Sequence, residues 1–289
     1  MRAHAFIATV VLLACNTLTG ASGLSVGDVP PAPDAGEDVS PGQPITDASA
    51  EEAAEEVDDL GHVVFVGDAD PGGTCPPFAL FCDSFESSDF QKWTTLLHTN
   101  GGTATVVTSP VRSGAEAMHA FAPMGMLVDG GYKSVGAAAR KTLAPFTTGL
   151  LVVRGYWYFP KALGNETTFI KIIAANGVDD MNLKISTNGG VIKEDSDVPG
   201  EGAELDGTKA PPVAKWFCVE WQVTIGSPNQ IGHQVVMLDG EVILDKDDVN
   251  ATTMGYATVM PGFAASYGGI TQDMYIDDIA VATQPIGCQ

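Results

Sequence analysis

Residues 75–289 predict an all-β sandwich, and three observations carry that prediction. Short runs rich in β-branched and aromatic residues alternate with Gly, Asn, Asp and Pro along this whole region. No apolar periodicity of the helical kind lasts three turns. Asp239-Gly240 separates Val235-Val236-Met237-Leu238 from Glu241-Val242-Ile243-Leu244, a strong signal for a two-residue hairpin.

The expected strands are 79–85, 103–108, 116–122, 133–142, 150–159, 167–174, 181–187, 190–194, 216–225, 233–238, 241–245, 257–266 and 273–283. Turn residues punctuate them at Asn100-Gly101-Gly102, Asp129-Gly130-Gly131, Asn176-Gly177 and Asn188-Gly189-Gly190. No internal repeat is visible, which argues against a propeller. Trp93, Trp157, Trp216 and Trp221 are expected in the core.

The first 74 residues have a different texture. Residues 16–74 hold 13 of the 36 acidic residues and none of the 14 Lys and Arg. They are rich in Ala, Pro and Gly as well, and such a segment buries too little apolar surface to offset the entropy of ordering it. It reads as a disordered acidic linker, on the order of 45 Å across as a coil. Val63-Val64-Phe65-Val66 is a short possible strand, and Ala48–Asp59 a transient helix. The formal charge of -22 leaves no basic stripe, so nucleic acid is excluded as a partner. It favours solubility and repulsion between copies, and the chain is expected to be monomeric.

Arg2 precedes an apolar stretch from Ala5 to Ala14, which ends at Cys15. The stretch is too short to span a bilayer, which takes about 20 residues; it reads as a secretory signal over 1–14. The sequence Leu12-Leu13-Ala14-Cys15 resembles the lipobox of bacterial lipoproteins. That resemblance implies lipidation of Cys15, export, and a lipid anchor in the bacterial cell envelope, at the outer membrane or cell surface. On this reading residues 15–74 are the lipidated cysteine and its linker. Four cysteines remain, Cys75, Cys82, Cys218 and Cys288, an even number in an exported chain, and three pairings are open. Cys75–Cys82 with Cys218–Cys288 is preferred, because the first pair flanks a Pro-Pro turn. No Cys-x-x-Cys pair supports a metal role for them.

Three segments stand in order along the domain. They are Leu80-Phe81-Cys82-Asp83-Ser84-Phe85-Glu86-Ser87 followed by Trp93; Lys215-Trp216-Phe217-Cys218-Val219-Glu220-Trp221; and Met274-Tyr275-Ile276-Asp277-Asp278-Ile279-Ala280. This set resembles the concanavalin A-like jelly rolls, and within them the family of the fungal cellulose-induced protein and the glucuronan lyases. The resemblance implies a jelly-roll β-sandwich over 75–289 whose first and last strands are neighbours. That arrangement gathers Asp83, Glu86, Asp277 and Asp278, and four carboxylates repel unless a cation or hydrogen-bond donors intervene. Arg112-Ser113-Gly114 resembles the family segment that lends oxygens to an ion, so a structural calcium ion held by Asp83, Glu86, Ser113, Asp277 and Asp278 is expected. The alternative is that these acids cap strand ends.

Alternate residues of a strand share a face. On that basis Arg154, Tyr156 and Tyr158 group together, as do Asn182 and Lys184, and Glu220 and Gln222. With Lys171 and His233 they form the expected carbohydrate-binding face. The alternative is a plain solvated sheet face. Arg154, Tyr156, Lys171, Gln222 and His233 are also of the types that elimination from a uronate needs, but no motif fixes a catalytic set. Phe169-Ile170-Lys171-Ile172 departs from the lyase relatives into apolar residues. A glycosidase needs paired carboxylates, and the Glu-x-Asp-x-x-Glu strand of jelly-roll glucanases is absent. No Gly-x-Ser-x-Gly and no Gly-Lys-Ser/Thr occurs. His98 and His119 have no partners at ligand spacing and are expected to be structural or exposed. Three functions follow: a non-catalytic polysaccharide-binding lipoprotein, a lyase acting on a uronate-containing glycan, or an envelope structural or adhesion module without a sugar ligand. The first is the leading one.

Overall fold

A computed structural model describes residues 75–289, apart from 126, 129–130, 198–203, 226–231, 250–254 and 268, together with two short strands nearer the N-terminus. Those two are β1 (Glu56–Val57) and β2 (Val63–Val64), paired antiparallel. The signal, Cys15 and the rest of the linker lie outside the described residues.

The domain then runs β3 (Ala79–Asp83), β4 (Thr95–Thr99), β5 (Thr103–Val107), β6 (Ala117–Ala122), β7 (Leu127–Val128), β8 (Gly131–Tyr132), β9 (Val135–Phe146) and β10 (Gly149–Tyr158). It continues through β11 (Thr168–Ala174), β12 (Asp180–Ile185), β13 (Ile192–Ser196), β14 (Glu204–Asp206), β15 (Trp216–Ile225) and β16 (Gly232–Leu238). It closes with β17 (Glu241–Val249), β18 (Tyr256–Ser266) and β19 (Gln272–Ala282). No helix occurs among the described residues.

Two antiparallel sheets form the sandwich, as the sequence predicts. An eight-stranded sheet runs β17-β16-β15-β10-β19-β6-β5, with β3 also pairing β19, and a seven-stranded sheet runs β14-β13-β12-β11-β18-β9-β4. The first and last strands are neighbours: Asp83 lies opposite Ile279 and Cys82 opposite Ala280. Asp239 (φ 50°) and Gly240 (φ 81°) make the β16–β17 turn, both in the left-handed region that a two-residue hairpin requires. Both preferred disulfides form, Cys75–Cys82 and Cys218–Cys288.

Alternation builds the core. Leu151, Val153 and Trp157 of β10, Val219, Trp221 and Val223 of β15, and Ile276 of β19 face Ile170, Ile172, Leu183 and Val259 of the other sheet. Aromatic edges cross the gap, with Trp157–Phe169 at 5.9 Å and Phe159–Phe217 at 4.9 Å. Gly155 sits where a Cβ would stand 2.3 Å from Ile279, which is why a residue without a side chain occupies that inward position. Polar side chains interrupt the apolar interior between β13 and β16. Glu194 of β13 lies opposite Leu183, faces inward and is fully buried. Neither of its carboxylate oxygens, nor Gln234 Nε2 from the opposing sheet, makes a hydrogen bond to a described residue. Burial pushes its pKa up to about 8, against a smaller downward pull from the nearby Gln234 amide.

Candidate functional site

The expected polar face divides between the two sheets. Arg154, Tyr156, Tyr158, Glu220, Gln222 and His233 stand on β10, β15 and β16 of the eight-stranded sheet. Lys171, Asn182 and Lys184 stand on β11 and β12 of the seven-stranded sheet. Each set points away from the shared core, so the two lie on opposite sides of the sandwich and line no common cleft. Strand alternation shows which residues of one strand share a face; it cannot show which sheet a strand joins.

On the eight-stranded sheet two of these groups, Tyr156 and Glu220, hold the end of the chain. Tyr156 Oη donates to Gln289 O at 2.8 Å and accepts from Gln289 N at 2.8 Å. Glu220 accepts from the backbone N–H groups of Ile286 and Gly287 and from Gln222 Nε2. The Cys218–Cys288 disulfide ties the same tail to β15. Arg112 stacks 3.8 Å above the Tyr156 ring and donates to Gln289 O. Arg154 is buried, and its Nη1 donates to Asp278 O at 2.9 Å. His233 pairs with Asp245 at 2.7 Å at the far edge. These contacts make Tyr156, Glu220 and Arg112 a clamp for residues 286–289.

The acidic residues meet at the turn that follows β5. In a regular strand Asp277 and Asp278 would point to opposite faces. A bulge in β19 opposite Arg154–Tyr156, with Asp278 at φ 50°, turns both carboxylates toward residues 112–113. Asp277 accepts from the backbone N–H of Arg112, Ser113 and Asp278; Asp278 accepts from Arg112 Nη1 at 2.9 Å and from Ser113 Oγ. Glu86 accepts from the N–H groups of Ala115 and Glu116. Burial, with Asp278 beside it, pushes Asp277 up to about 7. Asp83 stands apart from this group: it accepts from Trp93 Nε1 and from Phe85 N, and Lys92 lies 3.7 Å away. Hydrogen-bond donors thus face each of these carboxylates. Among the described residues, no group of three or more His, Cys, Asp or Glu is placed to hold a metal ion.

The outer face of the seven-stranded sheet carries a denser polar set. Cross-strand register puts Met260, Lys171, Asn182, Asp195 and Glu204 in one row over β18, β11, β12, β13 and β14. Lys171 pairs with Asp180 at 2.6 Å, and Lys184 pairs with Asp195. Asn182 Nδ2 donates to Asp180 at 2.6 Å and to Asp195 O at 3.3 Å. Lys193 lies between Glu166 at 2.7 Å and Glu204 at 3.0 Å. Burial lowers the Lys193 pKa, but hydrogen bonds to these two carboxylates outweigh it and the net shift is upward. Asp197 is raised by burial and by Asp180 and Asp195. Asn182, Lys193, Asp180 and Asp195 are all buried, although they point away from the core. Sequence reading missed Asp180, Lys193 and Asp195; the alternation of Lys193 and Asp195 along β13 was the available signal.

No family model and no curated protein matches this chain. Solved structures do. The chain is similar to the cellulose induced protein Cip1 at 22% identity and a TM-score of 0.56, over 72% of this chain and all of that one. It is similar to an endo-β-1,4-glucuronan lyase from the fungus Trichoderma reesei at 13% identity and a TM-score of 0.56, over 71% of this chain and 96% of that one. The jelly-roll sandwich is common to all three. At these identities the likeness establishes the fold, and the site must be argued from its own residues.

Proposed function

We propose that this protein binds polysaccharide without cleaving it, through the outer face of the seven-stranded sheet around Lys171, Asn182 and Lys184. One observation carries the reading: charged and amide groups on an outward sheet face are held out of water in a shared network, where a plain face would leave them solvated. Such fixed donors and acceptors suit a ligand dense in hydroxyls. The fold shared with Cip1 and the glucuronan lyase supports a carbohydrate ligand. Elimination needs a free base. Among the described residues of this face, Lys171, Lys184 and Lys193 are each ion-paired, and no Tyr or His stands in the row. Affinity electrophoresis against a polysaccharide panel tests the proposal. The wild type should be retarded without generating unsaturated uronate ends, and the double variant Lys171→Ala/Lys184→Ala should bind at least about tenfold more weakly, a loss of about 1.4 kcal/mol. Unsaturated ends from any polymer, or equal retardation of the variant, would overturn it.

Two further parts belong to the proposal. Cys15 is lipidated and anchors the domain to the envelope, so metabolic labelling with a palmitate analogue should mark the wild type and not Cys15→Ser. A structural calcium ion at the 112–116 turn would have to displace the donors that Glu86, Asp277 and Asp278 now meet there. It would replace Arg112 as the positive charge beside Asp278. At about 100 times Kd it should stabilise the fold by about 2.7 kcal/mol; equal melting temperatures in calcium and in chelator would exclude it.

A further inference from the structure

We propose that the outer face of the eight-stranded sheet carries a second, separate binding surface, formed by His119, Tyr275, Tyr158 and Trp216, for a neutral polysaccharide chain. These residues form one cross-strand row: His119 of β6 lies opposite Tyr275 of β19, Tyr275 opposite Tyr158 of β10, and Tyr158 opposite Trp216 of β15. Their ring centroids step by 4.6, 5.9 and 5.7 Å. Their chain neighbours Met118, Met274, Ile276, Trp157 and Phe217 are in the core, so the row points outward, and all four side chains are half-buried.

The chemistry of the row selects the ligand. Four adjacent aromatic side chains on a water-facing sheet are more apolar area than a solvated face requires. Their polar tips remain uncommitted: Tyr158 Oη, Tyr275 Oη and Trp216 Nε1 make no hydrogen bond to the described residues, while His119 Nε2 faces Asp273 Oδ1 at 2.9 Å. A ligand that covers the rings must therefore offer both apolar C–H surface and hydroxyls, as a sugar chain does. The row itself contains no Lys or Arg, the acidic Asp273 faces His119 at its end, and the chain carries a formal charge of -22, so an anionic glycan is disfavoured relative to a neutral one. Tyr and Trp have few rotatable bonds and lose little entropy when covered. The row lies on the opposite side of the sandwich from Lys171 and Lys184 and does not depend on the reading of that face.

Trp216 provides the readout, because Trp93, Trp157 and Trp221 are buried. Acrylamide quenching of tryptophan fluorescence in the full chain should fall as barley β-glucan, xyloglucan or galactomannan is added. Tyr158→Ala and Tyr275→Ala should each weaken that protection about tenfold. Tyr158→Phe and Tyr275→Phe, which keep the ring packing and remove only the free hydroxyls, should weaken it with an unchanged melting temperature. Lys171→Ala/Lys184→Ala should leave it intact, which separates this surface from the polar face. Protection by none of the three neutral polymers would overturn the proposal, as would protection untouched by the tyrosine variants. Protection by polygalacturonate alone, or a dimer in light scattering that Trp216→Ala abolishes, would overturn it in favour of an anionic ligand or of contact between copies.

Discussion

Glu194→Gln is expected to flatten the pH dependence of folding stability between about pH 4.5 and 8. Glu194 is fully buried between the sheets, and its pKa rises from 4.5 to about 8. Between those values the folded state holds a proton that the unfolded state has released, so stability falls as pH rises. The contribution is complete below the unfolded value and is lost as pH climbs through the folded one. A shift of this size corresponds to something on the order of 5 kcal/mol. An amide has the shape of the neutral acid and never ionises, so Glu194→Gln should be less stable than or equal to the wild type near pH 4 and more stable near pH 8. Urea denaturation across that range checks it. Asp277, raised to about 7, slopes the same way, so Asp277→Asn is the companion variant that separates the two shares. Parallel curves for wild type and Glu194→Gln would show that the Glu194 side chain finds water or a partner in solution.

Removal of the Cys218–Cys288 disulfide should cost about 4 kcal/mol, because it closes a loop of 70 residues, while removal of Cys75–Cys82, which closes only 7, should cost about 2 kcal/mol. The longer link also holds residues 286–289 on Tyr156 and Glu220. Its loss frees the tail and leaves the Glu220 carboxylate, which is almost fully buried, without two backbone donors. The paired variants Cys218→Ala/Cys288→Ala and Cys75→Ala/Cys82→Ala, compared by denaturant midpoint, test the order. Equal losses would show that the tail stays docked through Tyr156 and Arg112 alone.

Most of the strand order was legible in the sequence. Thirteen expected strands correspond to observed ones within a few residues, and Trp216–Ile225 matches at both ends. Strand β4 was missed because Thr95-Leu96-Leu97-His98-Thr99 does not alternate; it is an edge strand set by pairing with β9. Trp216 was expected in the core beside Phe217, but it begins β15 at a position where alternation turns it outward. The adjacency of first and last strands was expected to bring Asp83 and Glu86 to Asp277 and Asp278, and the place of Ser113 came from the family resemblance; in the structure Asp277 and Asp278 meet Arg112 and Ser113. That Arg112 answers Asp278 depends on a bulge, which leaves no mark in a string of residues.

The periodicity of apolar residues is a property of each strand alone, so strands, hairpin and inward faces follow from the chain directly. The disulfide pairing does not: three pairings were open in the sequence, and the assembled sandwich selects Cys75–Cys82 and Cys218–Cys288. Nor does sheet membership. Lys184 and Arg154 look alike along their own strands, and only the pairing of β12 with β11 and β13, and of β10 with β15 and β19, sends them to opposite sides of the molecule. Pairing is chosen by the free energy of the whole sandwich, summed over contacts far apart in the chain. For that reason the clamp, the ion network and the aromatic row emerge only once the sheets are assembled.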